Sequence, residues 1–277
     1  GKIFKIKIKI PYPEKRNLNM TIKETTRPSW LPFSEINATF FSQPSYIDNF
    51  GHFIQDDVLP LFIASDVFDL DVEQPKSVQL AYVDSLEAER FSWNPYFNMT
   101  RNLSYRKTLN AWAPLFFDTP VVEKERLPDN MCYKHAIFGM RTFSLTSTIL
   151  NRAGYSRRFR DRVVKKAGLI ASAPPDTHHH ILVCTKHDGY SKLMDIDGNK
   201  LCALVMEMAK VYSPVPTVTC VDPKTLSPVE QIRIAREHTV IVAVHGTVSY
   251  VSLFARDKTV LLAVHATHVK EHQVLWT

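Results

Sequence analysis

Residues 231–264 read QIRIAREHTVIVAVHGTVSYVSLFARDKTVLLAV, and their pattern sets the fold class. The run 239–244 is short, β-branched and wholly apolar, the composition of a strand buried on both faces of a parallel sheet. His245-Gly246-Thr247 breaks it. Val248, Val251, Ser252 and Phe254 then recur at the spacing of one amphipathic helix of about two turns. Arg256-Asp257-Lys258 turns the chain, and 259–264 repeats the buried-strand pattern. Upstream, 228–237 sets Val229, Ile232 and Ile234 between charges, as an exposed helix does. Helix, strand, turn, helix and strand in that order make an α/β unit.

The turn carries the chemistry. It lies at the carboxyl end of a predicted strand and the start of a predicted helix, where open α/β sheets bind ligands through free helix-terminal N–H groups. Gly246 lets backbone approach a ligand closely, Thr247 and Ser249 can cap the helix or donate to phosphate, and His245 can reach a phosphate or a sugar. Taken alone, the stretch is also that of a tight strand–helix turn with a cap, since one glycine says less than a GxGxxG run.

A second stretch, 46–62, reads YIDNFGHFIQDDVLPLF. Phe53, Ile54, Val58, Leu61 and Phe62 fit a helical stripe, and Pro60 inside it predicts a kink or break. His52 and Asp56 stand at i and i+4, on one helix face. Such a pair can take a proton from an attacking hydroxyl, one group as base and the other orienting it; it is equally an ordinary surface pair.

The two stretches together resemble the signature of family 61 glycosyltransferases, which include plant β-1,2-xylosyltransferases, EGF-domain O-GlcNAc transferases and protein O-mannose β-1,4-GlcNAc transferases. Asn49, His52, Phe53, Asp56 and Pro60 match one hallmark, and Gln231, His245, Gly246 and Phe254 match the other. The segment 132–140 (CYKHAIFGM) resembles a further family strand. Thr247 stands where the family has Ala, His238 where it has an acid, Lys186 where it has an arginine, and Leu261-Leu262-Ala263 where it ends in Glu.

The resemblance implies a GT-B-like α/β fold, two Rossmann-like domains facing a cleft, with 1–170 binding acceptor and 171–277 binding the nucleotide sugar. It implies an inverting, UDP-sugar-dependent transfer to a hydroxyl of a glycan or glycoprotein acceptor, xylose being the favoured sugar and GlcNAc the next. Asp56 is then the first choice for base and His52 the second, Asn49 and Asp57 belong to the acceptor side, and Lys186, His245, Gly246, Thr247 and Ser249 hold the donor. No metal is required, because helix dipole and basic side chains can neutralise the leaving diphosphate. The rival from another class is a non-catalytic glycan-binding module on the same fold, for which Thr247 and Ala263 speak.

Bulk properties agree with one large domain or two modest ones. The chain has 277 residues, 45% hydrophobic, with 8 glycines against 17 prolines, so its loops are stiff rather than linker-like. The net charge of +6 comes with no Lys/Arg run interleaved with aromatics, which argues against nucleic acid and suits an anionic nucleotide sugar. No apolar run approaches the roughly 20 residues of a membrane span. The four cysteines form no CxxC pair and read as buried free thiols. Sequons at Asn19, Asn37, Asn98 and Asn102 suit a Golgi or ER lumen if an anchor has been removed, and the missing leader suits the cytosol if the chain is complete.

Elsewhere, 2–10 reads as a strand and 11–32 as a turn-rich surface wrap. The pattern predicts strands at 77–83, 132–140, 181–185 and 218–221, sheet or connector at 107–117, and helices at 155–169 and 201–211. The first of these helices is basic, with Arg162 among its solvated residues. The aromatics of 87–100 read as core. His178-His179-His180 cannot all face one ion, and His265, His268 and His272 read as surface.

Overall fold

The computed structural model describes residues 3–9, 17–23, 34–42, 50–70, 76–82, 101–127, 131–138, 154–169, 178–185, 197–244 and 246–264. The chain forms two compact units, Gly1–Phe143 and Ser144–Thr277. The sequence reading set the division at residue 170; the basic helix at Tyr155–Lys166 belongs to the second unit. Each unit is built on a parallel sheet.

In the first unit, β1 (Ile3–Lys9) pairs antiparallel with β2 (Asn17–Lys23), Ile3 opposite Lys23. The second strand falls inside the predicted surface wrap. Leu18, Met20 and Ile22 alternate there with polar residues, and that period of two is the strand signal. The main sheet has the order β4-β3-β5, from β3 (Ala38–Ser42), β4 (Val78–Tyr82) and β5 (His135–Phe138). Its first strand is central, with the next two on either side. Phe40 and Phe41 are neighbours on a strand, so they face opposite sides of the sheet, and both are buried. Phe41 stacks on Phe138 with ring centroids 4.7 Å apart and meets Tyr133 edge-on at 5.0 Å.

The 46–62 stretch becomes a composite helix: α1 (Phe50–His52), a π-helical segment (Phe53–Val58) and α2 (Leu59–Val67). Pro60 falls in the first turn of α2, directly after the π segment, so the break predicted for it takes the form of that π turn within a continuous helix. Residues 107–117 are not sheet or connector but the end of α3 (Arg101–Phe116). Leu109, Trp112 and Phe116 recur at helical spacing and are all buried. Trp112 stacks on Phe116 at 5.7 Å and meets Phe50 at 4.2 Å.

The second unit opens with α4 (Tyr155–Lys166), which buries Phe159, Val163 and Val164. Arg162 is buried with them rather than solvated. The four-stranded sheet has the order β7-β6-β8-β9, built from β6 (His180–Cys184), β7 (Thr217–Val221), β8 (Val240–Val244) and β9 (Val260–Val264). Again the first strand has its two successors on either side. Helix α5 (Gly198–Ala209) links β6 to β7, α6 (Pro228–Glu237) links β7 to β8, and a 3-10 helix (Thr247–Phe254) links β8 to β9. Leu182, Cys184, Ala235, Ile241, Ala243, Val248 and Val251 form the buried centre.

Local chemistry sets the boundaries. Asp197 caps α5 by accepting the Asn199 N–H at 2.8 Å. Ser227 and Glu230 form a reciprocal capping box on α6. Arg160 of α4 reaches the loop before β9, pairing with Asp257 at 2.6 Å, and its guanidinium holds that carboxyl below its ordinary range.

Two expectations need correction. β9 is an edge strand rather than a buried one, with Val260 and Leu262 about half exposed. Cys202 and Cys220 are joined in a disulfide, their Cα atoms 6.0 Å apart, and are not free thiols. Leu204 and Met208 of α5 face outward, while Leu201 packs against the sheet core. Among the described residues no helix is long and apolar enough to cross a membrane.

Candidate functional site

In the second unit the geometry converges on the carboxyl edge of the sheet. The register pairs Cys184 with Ala243, so β6 and β8 end side by side. Because β7 and β8 leave β6 in opposite directions, the crevice between β6 and β8 is a topological switch point, the usual ligand position in a doubly wound sheet. Lys186 and His245 each follow one of these strand ends; both lie outside the described residues, as does the Thr247 side chain.

Gly246 is described, with φ 117° and ψ −153°. That region is essentially closed to L side chains. A Cβ built there meets no heavy atom within 4 Å, so the glycine is required by backbone geometry and not by crowding. Its carbonyl accepts the Ser249 N–H at 3.0 Å and the Ser249 hydroxyl at 2.7 Å. The Ser249 proton is thereby turned into the loop, where it stiffens the turn. Beneath it, Val248, Val251 and Phe254 anchor the 3-10 helix in the core.

Below the edge, Cys184 is fully buried and its thiol is pushed up to about 12 by desolvation first and by the Asp222 charge second, so it is no nucleophile. At the opposite end of β8, His238 is buried and its Nδ1–H donates to the Ile234 carbonyl at 2.6 Å. Burial lowers its pKa, with the Ile234 bond opposing and His180 assisting.

The first unit repeats the arrangement at its own carboxyl edge. Ser42 and Tyr82 are register partners at the last positions of β3 and β4. Their hydroxyls donate to the two oxygens of Asp57, at 3.0 and 3.1 Å. Asp57 is only 3% exposed, so this carboxylate faces the strand ends and pins the π segment to them. The backbone of His52 and Asp56 runs through the same turn at the sheet's carboxyl edge. Their side chains, and Asn49 as a whole, lie outside the described residues.

Asp222 and Thr225, just beyond β7, line a cavity of about 510 Å³ with Thr185, Met206, Cys202 and Cys220. The available signal was an acid directly after a strand of a parallel sheet. Among the described residues no group of three or more side chains could hold a metal ion. His179 pairs instead with the Thr239 hydroxyl at 3.2 Å, and His265, His268 and His272 lie outside the described residues.

These features define an α/β protein of two units, each with a parallel sheet wound in a manner compatible with Rossmann-like folds. No protein-family model matches the chain, and no curated protein matches it significantly.

Proposed function

We propose that the protein is an inverting glycosyltransferase that moves a sugar, xylose first and GlcNAc next, from a UDP-sugar to a hydroxyl of a glycan acceptor. The observation that carries this reading is Gly246, held in a glycine-only conformation beside open space at the carboxyl edge of a parallel sheet. Backbone can approach a diphosphate there without a side chain intervening. The family 61 resemblance of the stretches around Asp56 and Gly246 supports the same assignment.

In this reading the two units are the acceptor and donor halves of a GT-B enzyme. Lys186, His245, Thr247 and the first N–H groups of the 3-10 helix hold the diphosphate, and Ser249 acts through its bonds to the Gly246 carbonyl. Asp56 takes the proton from the acceptor hydroxyl, oriented by His52, as that oxygen bonds to the anomeric carbon. The bond from that carbon to UDP breaks on the opposite face, and the electron pair leaves on the diphosphate. Asn49 stands on the acceptor side, and Asp57 serves that side by fixing the turn. The Cys202–Cys220 disulfide and the sequons support an oxidising, secretory compartment.

Thermal melting with UDP, UDP-xylose and UDP-GlcNAc, each with and without EDTA, tests the proposal. A ligand that binds only the folded state raises the midpoint by mass action, by about 2.7 kcal/mol of stability at a hundredfold excess over Kd. UDP and one UDP-sugar should raise it, and EDTA should not matter. No rise with any nucleotide would refute the transferase reading and turn attention to glycan binding without nucleotide.

A further inference from the structure

β6 and β7 leave the second sheet together. Cys184 and Val221 are register partners, and the Thr185 N–H extends the ladder by donating to the Val221 carbonyl at 2.8 Å. Thr185 and Asp222 therefore stand next to each other just beyond the carboxyl edge. Helix α5 covers this corner, tied to β7 by the Cys202–Cys220 disulfide. The cavity of about 510 Å³ described above lies here, and its size is in the range of small-molecule sites. Its lining has two characters. The disulfide, Val221, Ala203 and Met206 are apolar; Thr185, Asn199, Asp222 and Thr225 are polar.

Asp222 sets what the cavity can recognise. Its Oδ1 accepts the Lys224 N–H at 3.0 Å, while its Oδ2 has no hydrogen-bond partner among the described residues. The Thr225 hydroxyl is already committed to the Asp222 carbonyl, at 2.8 Å. An ionised carboxylate only accepts, so any group it recognises is a donor, and a sugar hydroxyl is the uncharged donor that suits it. In doubly wound sheets an acid beyond the strand beside the first strand reads ribose hydroxyls in this way, and β7 stands beside β6.

We propose that this cavity is the nucleoside subsite of the second unit. Asp222 accepts a hydrogen bond from the ribose 2′-hydroxyl of a nucleoside diphosphate. The base lies against Met206 and the disulfide, and the diphosphate runs along the sheet edge from Thr185 toward Gly246. The proposal rests on the nucleotide-sugar reading above and deepens it, because it names the residue that reads the ribose, Asp222 just beyond β7.

The test is calorimetric titration of UDP and 2′-deoxy-UDP into the full chain and two variants. Asp222→Asn keeps an oxygen for the Lys224 N–H and so preserves the turn. Ala203→Trp, on the exposed side of α5, fills the cavity without touching the core. The wild type should prefer UDP over 2′-deoxy-UDP by about tenfold, the worth of one hydrogen bond to a charged acceptor. Asp222→Asn should weaken UDP by about as much and abolish the preference, and Ala203→Trp should weaken both ligands. If UDP binds the wild type and both variants equally, the subsite is elsewhere and the nucleotide-sugar reading survives. If UDP does not bind the wild type at all, both ideas fall.

Discussion

Gly246 concentrates at one residue what the end of β8 requires. Its φ of 117° lies where only glycine is at ease, while the space around its missing Cβ is open. Gly246→Ala should therefore cost about 1–3 kcal/mol through backbone strain alone, read as a lower urea midpoint with an unchanged slope. A variant as stable as wild type would mean that the turn relaxes freely. His238 makes a second residue-scale case. Burial holds its pKa below the ordinary 6.5, so the unfolded chain binds that proton first as pH falls. Its contribution is whole above 6.5 and is lost as pH drops through the folded value. Among the described residues, the depressed acids Glu35, Glu230 and Asp257 act lower, below their ordinary 4.5 for the glutamates and 3.8 for the aspartate. The melting midpoint should fall as pH drops below 6.5, and His238→Gln should flatten that fall; an equally steep variant would assign it to other groups. Residue identity was legible in the sequence to this depth only. Asp56 and Asp57 are the same residue type in the same motif, and which of them meets Ser42 and Tyr82 depends on where the strand ends lie.

At the scale of elements, periodicity located most of the described helices and strands, β2, β3 and α3 excepted, but not their finer form. Val248, Val251 and Phe254 recur every third residue, the repeat of a 3-10 helix, and over so short a run that repeat is hard to tell from 3.6. The apolar run of β9 matched that of β8, yet among the described residues β8 has a strand on each side and β9 on one, because a run of Val and Leu does not encode how many neighbours a strand will find. The disulfide was hidden for the same reason. Cys202 and Cys220 are separated by 18 residues, and only the return of the chain from α5 to β7 brings them together. Closing a loop of that length should contribute about 3 kcal/mol, mainly by restricting the unfolded chain. Reductant should lower the melting midpoint of the wild type and leave the Cys202→Ser/Cys220→Ser variant unmoved at the lower value. A wild type indifferent to reductant would show that the bond does not form in solution.

The whole molecule uses one winding twice. β3 lies between β4 and β5 as β6 lies between β7 and β8, so each unit has its own switch point at a carboxyl edge. The sequence displayed α/β alternation, but strand order depends on which helix covers which face, and a pattern of apolar residues leaves that open. The proposed transfer gives each edge its own task. If the first supplies the base and the second holds the nucleotide, damage to each should appear in a different constant. Asp56→Asn should lower kcat by about a hundredfold or more while UDP affinity stays within about twofold, since a base acts in the transition state and not on the leaving nucleotide. His245→Ala and Lys186→Ala should raise the Kd for UDP and the donor KM, with a smaller effect on kcat. The separation is the informative quantity. Were Asp56→Asn to weaken UDP as strongly as Lys186→Ala does, the acid would be serving the nucleotide site, and the base would have to be sought among the other groups at the first unit's sheet edge, beginning with His52.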